Sequence, residues 1–207
     1  MNSFNQKLKY FLIFCICILG IRVIYASNIK LSFLLWNLFL AWIPYYTSLK
    51  LNDISSTNKW KFIFTLGLSV LFLPNAIYLV TDLIHLKPRE DVPYWYDIVL
   101  LFSYSVLGLI YSTSTLIHIE SNLNKVFDKK WTIPLVLFII LSSGYGVYVG
   151  RILRWNSWDV FINPLSLLID CANRLIHPFS YPAAYGFTLV FGMIQGLFWG
   201  MFRESKN

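Results

Sequence analysis

Residues 144–159 read GYGVYVGRILRWNSWD, from Gly144 to Asp159. The stretch opens as the end of an apolar helix, with Gly146 and Gly150 four residues apart. Arg151 and Arg154 follow at the spacing of one helical turn. Asn156, Ser157, Trp158 and Asp159 then close it in a short polar knot. Going back along the chain, the apolar run begins at Trp131. A run of that length ending in two guanidinium groups reads as a helix leaving a membrane.

The rest of the chain agrees. Hydrophobic residues make up 57% and charged residues 13% of the 207 residues. An average soluble domain carries about 25% charge. A globule of this size cannot bury so much apolar surface, but a bilayer accepts it. The formal charge of +7 is not read as a nucleic-acid footprint. Its lysines and arginines lie mostly in short loops between apolar runs, where they set topology, and no nucleic-acid motif occurs. The three cysteines form no CxxC pair and read as small buried hydrophobes.

Six runs approach the roughly 20 residues a helix needs to cross hydrocarbon. They lie at about 10–26, 31–49, 62–85, 96–118, 131–153 and 181–202. The first, after Lys7 and Lys9, is expected to stay as an uncleaved helix, because Arg22 interrupts it and another apolar run follows at once. Residues 163–177 differ. Asn163, Ser166, Asp170, Asn173 and His177 form one polar stripe at steps of three and four. Asn163 is placed to cap, Pro164 to start the helix and Pro178 to end it. At about 1.5 Å per residue the segment is too short to span, so it is expected to be interfacial or re-entrant. The expected fold is therefore an all-α integral membrane protein, one domain over 1–207, with six transmembrane helices plus this amphipathic helix.

Ten of the seventeen Lys and Arg fall on the side that holds the N-terminus, namely Lys7, Lys9, Lys50, Lys59, Lys61, Lys125, Lys129, Lys130, Arg203 and Lys206. That bias puts both termini in the cytoplasm. The Ser-Ser-Thr-Asn run ending at Asn58 belongs to a loop on that side. In the last run Gly192, Gly196 and Gly200 form a small-residue row, the pattern of close helix contacts and of a homo-oligomer interface.

The opposite side collects the costly groups. Asn75, Tyr78, Asp82 and His85 share one face of run three, after Pro74, and Asp97 starts run four across a short loop. Arg151 and Arg154 arrive there from run five. Charge at membrane depth costs at least about 2.5–3.5 kcal/mol per residue on insertion scales, so such groups pair or serve a function. Three readings stand. Arg151 and Arg154, with Asn75, Tyr78, Asn156 and Asp159, bind an anionic group such as a lipid phosphate. Asp82, His85 and Asp97 hold a metal or act as catalytic groups. Alternatively, the arginines bridge to Asp82, Asp97 or Asp159 and hold helix ends together.

Three segments carry a family likeness: Trp36 to Pro44 (WNLFLAWIP), Leu73 to Leu86 (LPNAIYLVTDLIHL) and Tyr148 to Asp159 (YVGRILRWNSWD). They resemble a family of bacterial multi-pass membrane proteins of unknown function. The resemblance covers nearly the whole chain and implies a bacterial cytoplasmic membrane protein. It implies no activity. The residues themselves favour a cell-envelope protein with an outward polar pocket formed by runs three, four and five. That pocket would bind or process an anionic lipid or envelope precursor. A small transporter and a structural partner are the alternatives. A one-sided cavity separates the first from the second.

Overall fold

The computed structural model describes residues 2–54 and 58–204. Lys206 and residues 55–57 of the Ser-Ser-Thr-Asn run lie outside them. Every regular element among the described residues is helical: α1 (Asn2–Ala26), α2 (Phe33–Leu51), α3 (Lys59–Thr81) with a 3-10 turn at Asp82–His85, α4 (Tyr94–Leu123), α5 (Lys129–Arg151), α6 (Asp159–Ile162), α7 (Pro164–Ile176) and α8 (Pro182–Glu204). Five of them, all but α2, α6 and α7, are long and apolar enough to cross a membrane. α2 is 19 residues long, but Asn37, Pro44 and Lys50 dilute its hydropathy. The chain is an all-helical, multi-pass membrane protein.

α4 is the axis. It packs against α1, α2, α3, α5 and α8, and its sequence explains why. Ser103, Ser105, Gly108, Ser112 and Thr115 keep it slim, so neighbouring backbones come close. Ser105 donates to the Leu79 carbonyl of α3 at 3.1 Å. A Cβ at Gly108 would fall on the Ala76 carbonyl and the Leu79 side chain. Leu100, Leu101, Tyr104, Leu107 and Tyr111 form the centre of the core with Leu34, Leu38 and Tyr45 of α2.

Two further glycines fix α5. A Cβ at Gly146 would lie 2.5 Å from Pro74 Cγ, and one at Gly144 would lie 2.6 Å from the Thr188 carbonyl of α8. The glycine row of α8 is only partly used. Gly192 meets Ile140 and Leu141, whereas Gly196 and Gly200 have nothing within 4 Å of an added Cβ. Within the chain, the expected close-packing row reduces to Gly192.

Boundaries moved where the sequence pattern was ambiguous. α4 runs on to Leu123 and buries Glu120 against Trp199 Nε1 (3.0 Å) and Arg203 (2.7 Å), so this acid is not a loop residue. α5 stops at Arg151. Arg154 adopts a left-handed conformation, φ 62°, and the chain turns so that the Trp155 N–H returns to the Val149 carbonyl at 3.2 Å. Pro164 opens α7 as expected, but Asn163 makes no side-chain cap.

Candidate functional site

One end of the bundle holds the 3-10 turn, the start of α4, the end of α5 and all of α6 and α7. Its polar groups sort into three places.

The first is an ion pair at the end of α3. Asp82, 1% exposed, accepts from Arg151 Nη2 at 2.5 Å and from Asn37 Nδ2 at 2.8 Å. Arg151 also donates to Thr81 Oγ1 and stacks over the Tyr78 ring, 4.0 Å from its centroid. Its charge and its flat face are both satisfied within the protein.

The second is a buried triad around Asp97, which is 2% exposed. Arg22 of α1 and Arg89 of the loop before α4 donate to its two oxygens, at 2.9 and 2.7 Å. Arg22 is fully buried and also donates to Asn28 Oδ1 at 3.1 Å. Nearby, Asp91 accepts from Asn28 Nδ2 at 2.6 Å and from Lys30 at 3.5 Å. Burial pushes the Asp91 carboxyl up, but hydrogen bonds from Asn28 and from its own backbone N–H, with the Lys30 charge, outweigh it and hold the group below the ordinary carboxylate range.

The third is a groove of about 360 Å³. Its floor is α3 (Val70, Pro74, Asn75, Tyr78). Trp36, Asn37 and Leu40 of α2 form one wall, and Tyr145, Gly146 and Val149 of α5 the other. Trp155 to Ser157, with Leu167, Leu168 and Cys171 of α7, close it from above. Asn75 Nδ2 donates to Ser157 Oγ at 2.8 Å and to the Phe72 carbonyl at 3.1 Å, below the Pro74 break. α7 is tied down by Tyr145 to the Cys171 carbonyl (2.9 Å) and by Trp155 Nε1 to Asp170 (2.9 Å).

The expected site residues are thus divided. Asn75, Tyr78 and Asn156 line the groove. Arg151 lies behind Tyr78, occupied by Asp82. Asp159 accepts from the Asn156 backbone N–H at 2.6 Å and shapes the turn. Arg154 is exposed, lies beyond the end of α5 and makes no ion pair among the described residues. Asp82, His85 and Asp97 do not converge: Asp82 pairs with Arg151 and Asp97 with Arg22 and Arg89, and no group of three or more His, Cys, Asp or Glu suited to a metal occurs among the described residues. α4 takes no part in the groove, whose second wall comes from α2. Asn37, a polar residue inside an apolar run, was the one signal for that wall in the sequence. Arg22 carried a signal too, but its partner is 75 residues away.

Helices of this length around buried ion pairs define a multi-pass membrane protein with a groove at one end. The family model described as "Protein of unknown function (DUF1361)" matches residues 36–198, and the chain belongs to that family. The match spans every residue of the groove but leaves out α1. No curated protein and no solved structure matches the chain.

Proposed function

We propose that this chain binds a lipid or a lipid-linked envelope precursor in the groove between α2, α3, α5 and α7. The observation that carries the reading is the depth of the groove. Its deepest floor residue, Val70, precedes Thr81 by 11 residues, about 16 Å of helix. The hydrocarbon core is about 30 Å thick, so the groove ends near the middle, as one leaflet's acyl chain would require. A transporter would need a path through both halves. Leu40, Val70, Leu71 and Val149 supply the apolar bed, while Asn37, Asn75, Asn156 and Ser157 offer hydrogen bonds to a polar group. The lining holds no charged side chain, so an anionic headgroup would meet Arg154 beside the Trp155 rim.

In this reading six helices span, α2 included, and α7 lies at the interface. Its Leu165, Leu168, Leu175 and Ile176 are exposed and suit lipid. The groove faces outward from a bacterial cytoplasmic membrane. The orientation rests on the Lys and Arg bias of the loops, ten of the seventeen lying on the side of the N-terminus. Native mass spectrometry with dioleoyl-phosphatidylglycerol tests the site. Val149→Trp, which fills the groove, should lower occupancy by one lipid at least fivefold without lowering the unfolding temperature. Unchanged occupancy would refute the groove as the site.

A further inference from the structure

A second cavity, of about 250 Å³, lies across the bundle from the groove, between the end of α1 and the start of α4. Ile21, Arg22, Tyr25, Val92, Pro93, Trp95 and Tyr96 line it. Its lip is open, since Ile21, Tyr25 and Trp95 are 56%, 69% and 63% exposed. Its inner wall is different. Arg22 is 0% exposed, and although Nε and Nη1 have partners, Nη2 is buried with no hydrogen-bond partner.

A guanidinium nitrogen left unpaired in a buried place is costly, and more so when charged. The charge balance sharpens the point. Arg22 and Arg89 share the single carboxylate of Asp97, so the buried triad keeps one surplus positive charge. The neighbouring Lys30–Asp91 pair is neutral and does not cancel it. A buried net charge is stabilised by an anion brought next to it. The remaining lining is aliphatic and aromatic, and the aromatic residues are those of an interfacial belt.

We infer that this cavity binds an anionic oxygen group, a phosphate or carboxylate, through Arg22, with the apolar body of an amphiphile against Ile21, Val92 and Trp95. The site is separate from the groove and does not depend on what the groove binds. Arg22 and Tyr25 lie outside the family match, while Asp97 and Arg89 lie inside it.

Thermal unfolding of the full chain in an uncharged detergent tests this, with three probes: dioleoyl-phosphatidylglycerol, uncharged dioleoylglycerol and inorganic phosphate. The expected result is a saturable rise in unfolding temperature with phosphatidylglycerol and none with dioleoylglycerol. A rise with phosphate alone would identify a free ion as the occupant of the same anion site. A lack of response to phosphate would assign the site to a lipid headgroup. Ile21→Trp fills the cavity from its exposed lip and should weaken the response at least tenfold. Arg89→Gln removes the surplus charge without touching the lining, and should weaken it severalfold even if Ile21→Trp folds poorly. Each measurement is made in the Val149→Trp background, where the groove is filled, so that the response reads this cavity and not the groove. Equal shifts with the charged and uncharged lipids, or a wild-type response in both Ile21→Trp and Arg89→Gln, would overturn the inference.

Discussion

Arg151, the last residue of α5, reaches across to the end of α3 and donates to Asp82, 69 residues earlier in the chain and 1% exposed. With Asn37 on the other oxygen at 2.8 Å, the pair ties α2, α3 and α5 together at one level. Removing one member of a buried pair typically costs about 3–5 kcal/mol, because the other is left charged and unpaired. Arg151→Gln should therefore unfold at a clearly lower temperature in detergent. Adding Asp82→Asn should return part of the loss. If the double variant is no better than the single one, the pair does not hold the helix ends.

Arg154 has no such role. It is exposed and lies three residues beyond the end of α5, in the left-handed turn that follows it. Arg154→Gln should keep stability within about 0.5 kcal/mol of the wild type. The same variant should weaken binding of dioleoyl-phosphatidylglycerol severalfold, as a rim cation lost from the groove. Unaltered affinity would leave Arg154 without a part in headgroup recognition.

These two arginines show what the sequence could convey. Five of the expected spans return as helices long and apolar enough to cross a membrane, because a hydrocarbon-length apolar run has few alternative folds. The amphipathic helix was equally legible from its polar stripe and from Pro164. Arg151 and Arg154 looked equivalent, since a spacing of three is helical and no glycine or proline marks the break after Arg151. Only tertiary structure distinguishes them. The same holds for Asp97. Its place at the start of run four was visible, but whether it would face α3 or α1 depends on how α4 rotates, and Gly108 packs against Ala76 of α3. The groove was legible in its floor, through Pro74 and Asn75, and not in its α2 wall.

The glycines offer a test of packing against pattern. Gly108→Ala and Gly144→Ala place a methyl group into backbone atoms of α3 and α8. Overpacking of this kind typically costs about 1–3 kcal/mol. Gly196→Leu and Gly67→Leu meet open space in the chain and should unfold near the wild-type temperature. Should Gly196→Leu alone shift the molecule from a larger species to a monomer on size exclusion, the α8 row is an interface between copies. A large loss of monomer stability in Gly196→Leu would contradict the packing described.

Orientation follows from the Lys and Arg bias of the loops. Single cysteines at positions 90 and 53, in a chain whose Cys15, Cys17 and Cys171 are replaced by serine, should report opposite sides. Position 90 should react with an impermeant maleimide on intact cells, and position 53 only after lysis. The reverse pattern would invert the molecule and turn the groove toward the cytoplasm.

The groove is the centre of the account, and photocrosslinking addresses it most directly. A phosphatidylglycerol with a diazirine midway along one acyl chain, reconstituted with the protein into liposomes, should label peptides carrying Leu40, Val70, Leu71 and Val149. That labelling should fall at least fivefold in Val149→Trp. Labelling spread evenly over the outward faces of α1, α3 and α8, and unchanged in Val149→Trp, would show that lipid surrounds this protein without entering it.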